Sequence, residues 1–257
     1  MIRPPLREAE LRREVLGGLW TALDVVEETG STNADLIEQA RKGGPEGAVL
    51  VAERQVAGRG RLGRQWQSPA RAGLAVSVLL RPEVAQRRLG WLPLLAGVAL
   101  VESVREVSQV DAVLKWPNDL LIEGRKCAGI LAEAHNGAVV VGIGLNVSLR
   151  AEELPHAGAS SLLLAGAAEV DRERLLCGLL RSLSVWYGRW VGCAGDAEAS
   201  GLRAAYSRHC ATIGQQIRVE LPAGDPLVGV GEGIDEDGRL VVAGRAIAAG
   251  DVLHVRN

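Results

Sequence analysis

The spacing of apolar and polar residues divides the chain into short segments of sharply different period. "LREAELRREVLGGL" has apolar positions at helical spacing and ends in Gly17-Gly18, which predicts a short helix and its stop. "TALDVVEE" reads as a strand. In "TGSTNADLIEQARKGG", Leu36, Ile37 and Ala40 form one helical face behind the cap candidates Ser31, Thr32 and Asn33, and Gly43-Gly44 closes the element. "GAVLVAE" and "GLAVSVLL" are apolar runs of strand length. "WLPLLAGVALVESVREV" predicts a long, mostly apolar helix packed across a sheet.

Four strand-like runs follow, "AVLKW", "LLIEG", "RKCAGILAEA" and "AVVVGIGLNVS", joined by turns as short as "PND" and "NG". With no helix between them they predict an antiparallel meander, so the fold class is α+β and not an alternating βαβ array. "DRERLLCGLLRSLSVWYGRWV" is an amphipathic helix. After it the texture changes to "QIRVEL", "VGVGEGI", "GRLVV" and "DVLHV", cut by "PAGD", "DEDG" and "AAG" turns. This predicts a small C-terminal β-barrel that leans on its neighbour, dividing the chain into residues 1–212 and 213–257.

Charge narrows the function classes. The chain has 257 residues, with 29 Lys and Arg against 31 Asp and Glu and a net charge of −2, so any basic patch is local and a global nucleic-acid-binding charge is excluded. The N-terminal stretch lacks an apolar signal region, and no run reaches the roughly 18 apolar residues of a membrane span, which predicts a cytoplasmic protein. Cysteines 127, 177, 193 and 210 show no C-x-x-C, and histidines 135, 156, 209 and 254 show no ligand spacing, so neither a disulfide framework nor a transition-metal site is expected.

Against this neutral background, "GRGRLGR" at residues 58–64 crowds three arginines into a glycine-rich loop. Like charges so close repel unless an anion offsets them, so the loop reads as a phosphate or carboxylate site that folds over its ligand, with a solvated basic loop as the alternative. Gly58, Gly60 and Gly63 satisfy G-x-G-x-x-G, but the chain runs on into "QWQSPARAG" instead of a helix, and the dinucleotide reading fails. A P-loop reading fails because Arg64 and Gln65 stand where Lys and Ser or Thr are needed. Downstream, "LKWPNDLLIEGRKCAGILAE" places Lys115, Asn118, Asp119 and Lys126 on adjacent strands, where they can line one mouth suited to phosphoryl or adenylyl chemistry. A hairpin-edge ion pair between Lys115 and Asp119 is the alternative. Trp116 and Pro117 read as packing and turn residues.

Together, "GRGRLGR", "KWPND" and "GRKCAGILAE", with "GSTN" before them and "GIGLNV" after, resemble the biotin protein ligase family in the same order along the chain. The resemblance covers roughly residues 20 to 257 and implies a class II synthetase-like catalytic domain, a mixed, largely antiparallel sheet backed by helices, followed by an SH3-like barrel. It implies that biotin and ATP form biotinyl-5′-AMP with release of pyrophosphate, Mg²⁺ assisting, and that biotin then passes to a lysine of a biotin carboxyl carrier domain. Arg59, Arg61 and Lys126 match the positions that offset the charge of the reacting carboxylate and phosphate. Asp119 is implied as base or electrostatic partner and as the group nearest Mg²⁺.

Ser31, Thr32, Asn33, Gln55, Gly58, Gly60 and Gly129 complete the implied biotin set, and helix capping by Ser31 and Thr32 is compatible with it. Arg64, Trp66, Lys115, Asn118 and Asn146 join Arg61 on the nucleotide side, with Arg64 toward the leaving polyphosphate, Trp66 as a lid and Asn146 at the adenine edge. Fewer than 25 residues precede the first core strand, too few for the winged helix-turn-helix of repressor members, so a monomer without DNA binding is expected. The chain contains no Phe, which leaves Trp, Leu and Val to wall the biotin slot. A lipoate ligase, which lacks the arginine-glycine and "KWPND" stretches, and a non-catalytic biotin or nucleotide sensor are the rival readings.

Overall fold

The computed structural model describes residues 3–221 and 224–254. In chain order the elements are α1 (Glu8–Val15), β1 (Ala22–Val26), α2 (Thr32–Arg41), β2 (Ala48–Ala52), β3 (Gly73–Leu80), α3 (Trp91–Ser108), β4 (Ala112–Lys115), β5 (Asp119–Ile122), β6 (Arg125–His135), β7 (Ala138–Asn146), α4 (Arg172–Gly192), α5 (Leu202–His209), β8 (Gln216–Glu220), β9 (Leu227–Ile234), β10 (Leu240–Val242), β11 (Arg245–Ile247) and β12 (Asp251–His254). The first seven strands form one sheet in the order β1-β2-β3-β7-β6-β5-β4. Only β1 and β2 run parallel; β4 to β7 are the expected antiparallel meander.

Strand parity sorts the side chains. In β7, Val139, Val141, Ile143 and Leu145 point into the large core under α3 and α4, while Val140 points the other way, to Leu36, Ala40 and Leu79 beneath α2. Farther along that second face β7 carries Gly142 and Gly144, whose missing side chains let other groups come down onto the sheet. The site is built on that strip. α3 is almost wholly buried, as its apolar composition requires.

A second, five-stranded antiparallel sheet has the order β11-β10-β9-β8-β12. It holds one strand more than the four expected, because the Ala- and Gly-rich "RAIAAG" hides β11 as a turn. Strands β11 and β12 are its edges, and no pairing between them closes a barrel among the described residues. Helix α5 was also hidden, behind the Gly- and Ser-rich residues that precede it.

Candidate active site

The floor of the site is a register row across the large sheet. Lys115 pairs with Asp119, Asp119 with Gly129, Gly129 with Gly144, and Gly144 with Ala75. Charged residues therefore stand at one end of a strip of small ones. The indole of Trp66 lies on the glycines: a Cβ at Gly144 would overlap it, and one at Gly129 would meet it at 3.3 Å. Lys126 stands three residues from Gly129, a spacing that would send the two to opposite faces of a regular strand. A bulge at Cys127 of β6, opposite Leu120 and Leu121, shifts the register and turns Lys126 to the same face as Asp119. Lys126 Nζ comes 2.6 Å from Asp119 Oδ1, outside hydrogen-bonding angles, so the contact is an ion pair. Asp119 thus pairs with Lys126 and not with Lys115, the alternative partner read from the hairpin.

The arginine loop forms the rim. It is a hydrogen-bonded hairpin: Trp66 N donates to Gly58 O at 2.9 Å, Gly60 N to Arg64 O at 2.7 Å and Arg64 N to Arg61 O at 3.1 Å. Leu62 and Gly63 at its tip take left-handed backbone, φ 55° and 74°, which tightens the turn. Arg61 reaches inward, and its Nη1 donates to Asn118 Oδ1 at 3.1 Å. Asn118 in turn donates Nδ2 to Ile130 O at 3.1 Å and is locked against β6. Arg64 instead forms an ion pair with Asp251 of β12, and Arg59 remains exposed, 3.9 Å from Glu133. The three arginines thus have three different partners.

The N-terminus of α2 closes the opposite end. Ser31 caps the helix, its Oγ accepting from Ala34 N at 3.5 Å. Thr32 donates N–H and Oγ–H to Gln55 Oε1 at 2.9 and 3.0 Å. Buried Asn33 donates Nδ2 to Glu133 Oε2 at 2.8 Å and accepts from the Ser77 hydroxyl at 2.6 Å. A Cβ at Gly142 would overlap Asn33, so the glycine admits that side chain. Asn146, buried at the far end of β7, donates Nδ2 to Ser160 O at 2.9 Å, and its Oδ1 has no partner among the described residues. A buried acceptor left unpaired is poised for a ligand donor.

These parts surround one cavity of about 1460 Å³, larger than a small-molecule pocket usually is and roomy enough for two substrates. It is lined by every residue anticipated from the sequence except Gly58, which lines a neighbouring cleft on the outer side of the loop, where a Cβ would overlap the Trp66 carbonyl. Five cations, Arg59, Arg61, Arg64, Lys115 and Lys126, face two carboxylates, Asp119 and Asp251. Burial pushes the pKa of Lys115 down, with Asp119 opposing, and pushes Arg61 down, with Asp251 and Asp119 opposing. Cations held in such surroundings are under-compensated, and an incoming anion relieves them. Gly142 and Gly144 could have been found from the period-two "GIGLN" beside Asn146. Asp251 and the 155–159 and 214–216 lining had no local signal.

Two family models match separate parts of the chain. Residues 24–149 match the Biotin/lipoate A/B protein ligase family, and residues 212–255 match the Biotin protein ligase C terminal domain. A biotin--[acetyl-CoA-carboxylase] ligase of Mycobacterium tuberculosis is 45% identical over 99% of this chain and 98% of its own length. The bifunctional ligase/repressor BirA of Bacillus subtilis is 31% identical over 94% of this chain and 76% of its own. Among solved structures, the biotin protein ligase from Aquifex aeolicus in complex with biotin and ATP superimposes with a TM-score of 0.77 at 28% identity, covering 93% of this chain and all of that one.

Proposed function

We propose, for a chain that belongs to the biotin/lipoate A/B protein ligase family, that it is an ATP-dependent biotin ligase working in two steps. In the first, a biotin carboxylate oxygen attacks the α-phosphorus of ATP, the bond to the β-phosphate breaks, and pyrophosphate leaves. Two anions must meet, and the cost falls only where fixed cations stand between them. Arg61 and Lys126 supply them at the junction with Arg59 at the rim, and Lys115 and Arg64 face the polyphosphate. In the second, a carrier lysine attacks the acyl carbon of biotinyl-AMP, the C–O bond breaks and AMP leaves. Its amine, with an intrinsic pKa of about 10.4, must first lose a proton. Asp119, beside the reacting end, is the group placed to receive it or to hold Lys126 against the adenylate.

The ureido end of biotin lies against Ser31, Thr32, Asn33 and Gln55, its ring system beside the Trp66 indole that covers the glycine floor, and adenine against Asn146. Among the described residues no three His, Cys, Asp or Glu side chains gather into an all-protein metal cage. A Mg²⁺ that keeps its waters and is carried on phosphates needs only one or two carboxylates, so the site fits it. Asp119 is the residue that would hold it, and the ion when bound supplies charge neutralisation on the polyphosphate. The acceptor is a biotin carboxyl carrier domain of a biotin-dependent carboxylase.

The convergence of Arg61, Asn118, Asp119 and Lys126 at one end of a glycine floor carries this reading. The test mixes the protein with biotin, Mg-ATP and a carrier domain and looks by mass spectrometry for a single biotinyl addition at one lysine. Absence of the adduct, with no pyrophosphate released, would leave a binding module instead of a ligase.

A further inference from the structure

β4 is the edge strand of the large sheet, so its outward backbone groups have no partner within that sheet. The C-terminal part of the chain fills them. Ala211 N donates to Leu114 O at 2.8 Å, and Trp116 N donates to Thr212 Oγ1 at 3.1 Å. The Trp116 indole donates Nε1–H to Gly238 O at 3.2 Å, in a turn wedged so closely on Gly90 that a Cβ at Gly238 would lie 2.9 Å from the Gly90 backbone. Two residues beyond Trp116 begins the pair that meets the loop and Lys126, Asn118 and Asp119.

Thr212 is fully buried, and its hydroxyl has two tasks. Oγ1 accepts the Trp116 N–H and shares a second hydrogen bond with His254 Nε2, 3.3 Å away at the end of β12. A neutral imidazole with Nε2 unprotonated accepts the Thr212 hydroxyl proton there. Burial and the nearby Lys115 ammonium both hold the His254 pKa below its ordinary value, which favours that form.

We infer that Thr212, backed by His254, is a positioning residue for adenylation: it fixes the end of β4 and so the placement of Asn118 and Asp119 against Arg61 and Lys126. The C-terminal sheet thereby takes part in the chemistry without touching the reacting atoms. This inference rests on the ligase reading above. A wild-type protein that made no biotinyl-AMP would overturn that reading and this inference with it, whereas the results with variants of Thr212 and His254 bear on this inference alone.

The experiment compares wild type, Thr212→Val, Thr212→Ser and His254→Gln in the first turnover with biotin and Mg-ATP. The biotinyl-AMP formed counts working sites, and the rate of pyrophosphate release per site reads their geometry. Thr212→Val keeps shape and removes the hydroxyl, so the rate per site should fall about tenfold with the number of sites and the KM for biotin held within twofold. Thr212→Ser should restore the rate to within twofold of wild type, and His254→Gln should lower it about threefold. A wild-type rate per site in Thr212→Val, or a loss seen only as fewer sites, overturns the inference. Should Thr212→Val fail to fold, an unchanged rate in His254→Gln overturns it alone.

Discussion

Lys126 Nζ sits 2.6 Å from Asp119 Oδ1, and it does so because a bulge in β6 brings a lysine of the wrong parity onto the glycine face. The pair is partly open to solvent, with side chains 30% and 19% exposed, so its worth to the fold is small, about 1 kcal/mol or less. Its worth to catalysis is the cation.

Lys126→Ala should therefore slow adenylation about 100-fold or more while shifting the melting midpoint by only a few degrees. Pyrophosphate release and a thermal melt on the same preparation check this. A melting shift large enough to account for the lost rate would make Lys126 structural.

Gly144→Ala tests the floor. Alanine costs a strand less backbone entropy than glycine, but its methyl would overlap the Trp66 indole and lift it from the slot. The KM for biotin should rise tenfold or more, and Trp66→Ala in the same chain should recover part of the loss. An unchanged KM in the single variant would place biotin elsewhere.

Lys115 yields a pH dependence. Its half-buried amine loses its proton below the ordinary value of 10.5, because desolvation disfavours the charged form. A polyphosphate prefers the charged form, so binding is strongest at neutral pH and weakens as pH rises through the lowered value. The KM for ATP should climb in the alkaline range below 10.5, and Lys115→Arg, always charged, should flatten the climb. The same climb in the variant would assign it to another group.

Much of this site was legible because its parts are local. The run of Ser31, Thr32 and Asn33 before an apolar helical face announces a capped helix, and three arginines spaced by glycines announce an anion. The hairpin at Asn118 and Asp119 follows from the short turns around it. What could not be read is what depends on distant chain. The bulge behind Lys126 leaves no mark in "RKCAG", and no periodicity joins Arg64 to Asp251, 187 positions away. The burial of Ser77 against Asn33 and the hold of Thr212 on Trp116 are likewise made only when the sheet is assembled.

Glu53 shows the same limit in the core. It reads as a polar residue ending a strand, yet its side chain is 2% exposed, paired at 2.5 Å with Arg172 of α4, and accepts from Leu6 N at 2.6 Å. Glu53→Ala would leave a buried guanidinium without its partner, at a cost of about 3–5 kcal/mol. The melting midpoint should drop by roughly 10 °C. The adenylation rate per working site, measured well below the transition, should stay within twofold. A small shift would mean that water or another carboxylate takes the place of Glu53.

The central claim is that the loop of residues 58–64 and the strand cation Lys126 together neutralise an acyl-phosphate junction. A crystal structure of the protein with biotinyl-AMP tests it most directly. The expected result has Arg61 and Lys126 within about 3 Å of the acyl-phosphate oxygens, the loop folded over them and Arg59 drawn in from Glu133. Biotinyl-AMP bound with residues 58–64 turned out into solvent would contradict it.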